Sequence, residues 1–369
     1  TGDGTNTIAY STDGITWTGL GTSTFTSIGR SVAYSAQLSR WVATGDGTNT
    51  IAYSSDGITW TGLGTSIFSG AGRSVAYSAQ LSRWVAVGNG TNAIAYSTDG
   101  ITWIGSGTST FSTQGLGVAA EIALPAKYVS VGGAAGGQGT NTIAYSTDGV
   151  TWTGLGTSIF SAYGHSVAYS AQLSRWVAVG AGTNRIAYST NGITWTGLDT
   201  SVFSTYGFGV AYSAQLSRWV AVGMGTNTIA YSTDGITWTG LGESIFSNNS
   251  YGYGVAYSAQ LSRWVAVGNG TNSIAYSTDG ITWTGLGTSV FSTYGFGVVY
   301  SAQLSRWVAV GLGTNTIAYS TDGITWTGSG TSTFSNYGYG VAAEIALPAK
   351  YVSVGEGTNS IVYSYDGIT

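Results

Sequence analysis

Nine copies of one short block, first seen as Ile8-Ala-Tyr-Ser-Thr-Asp-Gly-Ile-Thr-Trp17, punctuate the 369 residues of this chain. Their acidic position falls at Asp13, Asp56, Asp99, Asp148, Asn191, Asp234, Asp279, Asp322 and Asp366, at intervals of 43, 43, 49, 43, 43, 45, 43 and 44 residues. Between them lie eight copies of a second block, Ser31-Val-Ala-Tyr-Ser-Ala-Gln-Leu-Ser-Arg-Trp-Val-Ala43. The third and eighth copies are rewritten around Glu121, Pro125 and Lys127 and around Glu344, Pro348 and Lys350, as if a multi-unit segment had been duplicated. A repeat of this length is one supersecondary unit that buries its apolar surface only by stacking on its neighbours. Residues 1–369 are therefore expected to form a single domain, with the second block at about 31–45, 74–88, 118–133, 166–180, 210–223, 255–268, 298–311 and 341–355.

Within a unit the apolar residues alternate with period two, and the breakers are Gly, Asn and Asp rather than helix caps. The pattern predicts four short strands, which in the first unit are Val32–Ser35, Trp41–Thr44, Ile51–Ser54 and Ile58–Thr61. Asp56-Gly57 is a hairpin signal between the last two, because Gly supplies positive φ. One face of these two strands carries Ile51, Tyr53, Ile58 and Trp60, and the other carries Ala52, Ser54, Thr59 and Thr61. A bulky face that lies on the small face of the next copy is how a β-propeller packs its blades. The expected fold is an all-β propeller of about 43-residue, four-stranded blades. Eight blades are expected, with the ring closed by pairing of N- and C-terminal strands, since closure removes exposed sheet edges.

At Ser11-Thr12-Asp13-Gly14-Ile15-Thr16-Trp17 the sequence resembles the Asp-box, or bacterial neuraminidase repeat, of sialidase-like and sortilin-like propellers. In that family Ser-x-Asp-x-Gly-x-x-Trp occupies the turn between the third and fourth strands of a blade. Here Gly follows Asp directly, so the Asp-to-Trp spacing is one residue shorter. The resemblance implies a propeller but no single activity, since such propellers serve as hydrolases, receptors, lectins and scaffolds.

Composition narrows the function. Charged residues are 7% of the chain, against roughly 25% in an ordinary soluble domain. A net charge of −4 with two Lys argues against a nucleic-acid surface, which needs a dense basic patch. Zero Cys excludes disulfides, thiolate chemistry and Cys-bearing zinc sites, and leaves the compartment open. No apolar run approaches the roughly 20 residues of a membrane helix.

A residue that recurs in every unit is most simply a requirement of the unit. The Asp positions read as structural turn residues rather than metal ligands, and Asn191 shows that a neutral side chain suffices. The same logic covers Asn49 and its equivalents and the Arg-Trp pairs beginning at Arg40. Glu121 with Lys127, and Glu344 with Lys350, read as exposed ion pairs. No catalytic residue, metal site or cofactor is expected. A sialidase would need a cluster of three Arg, and those outside the repeat pattern are Arg30, Arg73 and Arg185, on separate blades, with no acidic residue at the same mouth positions.

Variation among copies is concentrated in two loops. Ahead of the first strand one position reads Arg30, Arg73, Leu116, His165, Phe208, Tyr253, Phe296 and Tyr339, and two residues earlier Tyr163, Tyr206, Tyr251, Tyr294 and Tyr337 appear. The middle of the Gly-x-Gly loop between the second and third strands reads Asp3, Asp46, Asn89, Gln138, Ala181, Met224, Asn269, Leu312 and Glu356. Both loops should emerge on one face, with the first set ringing the central channel. The candidate ligand-binding residues are Arg30, Arg73, His165, Tyr206, Phe208, Tyr251, Tyr253, Tyr294, Phe296, Tyr337 and Tyr339, with rings for stacking and cations for an anionic group. The expected function is a non-enzymatic surface recognition or adhesion module, extracellular or on a particle surface, whose partner is a glycan or surface protein. The alternatives are a structural block of a virion, fibre or coat, an amplified or designed repeat, and a sialidase-type hydrolase. The chain is also expected to be a mature product or part of a longer array.

Overall fold

The computed structural model describes all residues except 13–14, 80, 121–127, 134–139, 248–249, 332, 344–350, 358–360 and 365–369. Asp13, Asp366 and the pairs Glu121 with Lys127 and Glu344 with Lys350 thus lie outside the described residues.

The typical repeat folds into an antiparallel sheet of four strands in chain order, here called a to d. In the first they are Gly29–Ser35, Arg40–Gly45, Ile51–Ser54 and Thr61–Gly62. Strand d is shorter and later than its expected span of Ile58–Thr61. The reason is the turn before it. Ser54 Oγ accepts from the Gly57 N–H at 2.8 Å, and Asp56 Oδ1 accepts from the Ile58 and Thr59 N–H groups at 2.8 and 2.7 Å. Those amides cannot join the ladder, and pairing resumes only at Thr61 opposite Tyr53. The Asp motif therefore sits at the c–d turn in every described copy, and Asn191 makes the same bonds to Ile193 and Thr194.

Seven sheets are built this way from consecutive strands. The expectation of eight such blades is thereby corrected, because the remaining strands form a different, six-stranded sheet. In it Tyr337–Ala343 and Tyr351–Gly357 pair with each other and with strands from the other end of the chain. There are nine copies of strand c for eight of strand b, so Ala9–Ser11 and Ile361–Ser364 both register against Tyr351–Ser353.

The sheets stack as the alternation requires. Val42 and Ile51 of one sheet pack on Val75, Trp84, Ala86 and Ala95 of the next, and the same cluster recurs around the molecule. Trp41, Trp84, Trp176, Trp219, Trp264 and Trp307 are fully buried. Polar links reinforce the stack: Gln37 Nε2 donates to Ser82 Oγ of the next sheet at 2.9 Å and its Oε1 accepts from Tyr77 Oη at 3.0 Å. Arg40 lies 5.6 Å over the Tyr53 ring and donates to the Asp99 carbonyl one sheet on. The Arg-Trp pairs are thus packing elements. The strands a of neighbouring sheets lie against one another, which puts the channel along them.

Candidate functional site

Strand a starts earlier than its expected bounds, and the varied position lies inside it. In every sheet the a–b register shifts by one residue across that position, between Gly29 and Ser31, Gly72 and Ser74, Gly115 and Gly117, Gly164 and Ser166, and so on to Gly338 and Gly340. The residue in the gap is the extra residue of a β-bulge, a device that re-aims one side chain out of the ladder. The preceding Gly is demanded by packing: a Cβ on Gly252 would lie 2.7 Å from Val222 Cβ and 2.9 Å from the Thr228 carbonyl. Gly-X-Gly and Gly-X-Ser around the varied residue were the available signal for this bulge.

The bulged residues converge. Arg30, Arg73, Leu116, His165 and Tyr339 line one cavity of ≈ 260 Å³. From His165 the ring continues through Phe208, Tyr253, Phe296 and Tyr339, with successive centroids 5.1, 5.4, 5.2 and 5.4 Å apart. A second tier stacks beside it, with Tyr251 on Tyr253 at 5.2 Å and 16°, Tyr337 on Tyr339 at 5.3 Å and 16°, and Tyr294 on Phe296 at 5.5 Å and 24°. Tyr206 and Phe208 are 5.4 Å apart. All of these rings are half-buried. Burial, reinforced by neighbouring tyrosines, pushes the Tyr253 and Tyr339 hydroxyls up from the ordinary phenol range, so both are neutral donors.

The two variable loops meet on this face. Arg30 Nε donates to Asp46 Oδ1 at 2.8 Å and its Nη2 to Oδ2 at 2.5 Å. Tyr337 N donates to Asp3 Oδ1 at 3.0 Å and Tyr251 N to Asn269 Oδ1 at 2.6 Å. Asp46, at the varied position of the loop after strand b, brings a carboxylate to Arg30. Arg185 stays away from the cavity, its guanidinium spent on the Gly182 and Ser204 carbonyls. His165 is also not the cation expected of it. Burial pushes its pKa down to about 4, which makes the imidazole neutral at pH 7. Among the described residues no group of three or more His, Cys, Asp or Glu could hold a metal ion.

Four other clefts, of ≈ 240 to ≈ 460 Å³, lie where strand d and the following loop of one sheet meet the c–d turn of the next, for instance at Leu198, Asp199 and Trp238. They are lined mostly by residues that repeat from copy to copy.

No known family matches the chain, and no curated protein does. The fold is similar to that of virginiamycin B lyase from Staphylococcus aureus, with a TM-score of 0.59, 12% identity and coverage of 81% of this chain and 93% of that one. A streptogramin B lyase structure matches with a TM-score of 0.58, 12% identity and coverage of 76% and 92%. YCF48 from Cyanidioschyzon merolae matches with a TM-score of 0.53, 15% identity and coverage of 76% and 91%. These likenesses carry the β-propeller fold. They also overturn the expectation that the chain is not an enzyme, because the neighbours include lyases and the fold gives no ground for excluding catalysis.

Proposed function

We propose that this chain is a ligand-recognition propeller that takes one ligand at the mouth of its channel, with glycans the first ligand class to screen. The observation that carries this reading is the bulge. One of the two positions that vary most between copies is the one residue per sheet turned out of the ladder, and these residues gather in one place. A half-ring of aromatic side chains facing a cation is suited to a ligand with an apolar face and a polar or charged edge. We also infer that the six-stranded sheet closes the ring begun by the seven four-stranded blades. Ala9, Tyr10 and Ser11 register with Ser353, Val352 and Tyr351, while Asp3 bonds to the backbone of Tyr337 much as Asn269 does to Tyr251.

The test is a glycan array followed by calorimetry on any hit. One ligand per chain, weakened by Phe296→Ala and Tyr253→Ala and unaffected by Gln37→Ala among the a–b turns, supports the reading. Several ligands per chain would move binding to the repeated clefts between sheets and overturn it.

A structural block is the second reading. It is favoured by the links that repeat between sheets, such as Gln172 to Ser217, Gln215 to Ser262 and Gln260 to Ser305.

A further inference from the structure

Arg30 and Arg73 hold the same bulged position in successive sheets, yet the loop after strand b sets different residues beside them. The loop beside Arg30 carries Asp46, which neutralises it through two hydrogen bonds. The corresponding loop of the next sheet carries Asn89, and no hydrogen bond ties Arg73 to any described residue; its Nε is buried and bare. The repeat arginines also leave Nε bare, but Arg40, Arg83, Arg175, Arg218 and Arg263 each spend Nη1 on a carbonyl of the next sheet. Arg73 is therefore a half-buried cation with no hydrogen-bonded counterion among the described residues; Asp46, already held by Arg30, acts on it only at longer range. His165, which lines the same cavity, has a buried Nε2 that likewise has no partner among the described residues. A second carboxylate near the mouth, Asp3, is engaged by Tyr337 N and, at 3.4 Å, by Tyr339 Oη. A polar group buried without a partner destabilises the fold, and a charge does so more, so this corner is unsatisfied as it stands.

We propose that the Arg73 and His165 corner of the mouth is an oxyanion subsite, which takes the carboxylate or phosphate of a ligand whose apolar body rests against Leu116 and Tyr339. The guanidinium supplies charge and a donor fork, and the Nε2–H tautomer of a neutral imidazole supplies one further donor. Arg30 and Asp46 form the wall that excludes a second anion, since their charges already cancel. This assignment rests on the recognition reading above and names the chemistry of one edge of its ligand.

His165 is the only histidine of the chain, so its Cε1–H proton signal reports on the cavity without ambiguity. The protein is titrated with benzoate, phenyl phosphate and the neutral isostere benzamide. Benzoate and phenyl phosphate are expected to move the signal saturably, and benzamide is not. Whichever anion binds tighter identifies the headgroup. Arg73→Gln should weaken anion binding by about tenfold or more, and Asp46→Asn, which frees Arg30, should strengthen it. Equal response to benzamide and benzoate, or an unchanged affinity in Arg73→Gln, overturns the subsite. If Arg73→Gln does not fold, the Asp46→Asn gain decides: no gain overturns it. Failure here with an array ligand still lost in Phe296→Ala would remove the anion assignment and leave the mouth reading, whereas an array ligand indifferent to both variants would remove both.

Discussion

Arg30 grips Asp46 with two parallel hydrogen bonds of 2.8 and 2.5 Å, while its counterpart one sheet on, Arg73, lies beside a loop that carries Asn89. The same strand position thus holds one guanidinium paired with a carboxylate and one with no hydrogen-bonded counterion among the described residues. Removing one partner of a half-buried pair costs more than the pair contributes, because the other charge is stranded. Asp46→Ala is expected to cost about 1 to 2 kcal/mol, and Asn89→Ala, whose Oδ1 is already bare, much less. Chemical denaturation of the two variants checks the asymmetry.

The c–d turn sets a second expectation. Burial alone would raise the Asp234 pKa, but hydrogen bonds from Ile236, Thr237 and Ser232 outweigh it and hold the carboxyl below its ordinary value. Asp56, Asp99, Asp148, Asp279 and Asp322 are held down in the same way. A depressed folded-state pKa stabilises the fold above the unfolded value, and this is lost as pH falls through the folded value. Asp234→Asn should be nearly neutral at pH 7, as Asn191 already demonstrates within the chain, and it should flatten acid unfolding. Asp234→Ala should cost about 1 kcal/mol. A chelator should leave the melting temperature unchanged, and a fall of many degrees would count against the turn role.

His165 makes the chain acid-sensitive by a separate route. Its folded-state pKa of about 4 lies below the ordinary histidine value of 6.5, so the folded state binds the proton less readily than the unfolded one. Stability is full above pH 6.5 and is lost progressively as pH falls toward 4. The total is about 3 kcal/mol, from about 1.36 kcal/mol per pKa unit. Melting of His165→Phe against the parent between pH 7 and 4 measures it, and parallel curves would refute the burial.

Gly252 is expected to tolerate no side chain. Ala there must displace Val222 Cβ or the Thr228 carbonyl, both part of the preceding sheet, and overpacking of this kind costs about 1 to 3 kcal/mol. Circular dichroism melting should show the drop.

Arg218→Lys should not behave as a conservative change. The guanidinium lies 5.5 Å over the Tyr231 ring and also reaches the Asp279 carbonyl, and a point-charge ammonium cannot keep both in plane. A loss of about 1 kcal/mol, close to that of Arg218→Ala, is expected in denaturant titration.

Much of this was legible in the chain itself. Period-two alternation and the copies of Asp-Gly determine the strands, their order within each sheet and the stacking of Val42 and Ile51 on Ala86 and Ala95, because these depend on residues close in sequence and on identical neighbours. The gathering of Arg30, Arg73 and His165 with the aromatic positions was legible too, since copies of one position must be related by the symmetry of the stack. Tertiary structure decided the rest. Asp56 withdraws the amides of Ile58 and Thr59 from the ladder, which no alternation pattern displays. The bulge between Gly72 and Ser74 exists only in the register of two strands, yet it determines that Arg73 leaves the ladder for the channel. The pairing of Arg30 with Asp46, the neutrality of His165 and the meeting of Ala9–Ser11 with Tyr351–Ser353 depend on distances and burial between segments remote along the chain. Those are set by how the sheets close upon one another, because charge compensation and desolvation are properties of a place in space and not of a position in a repeat.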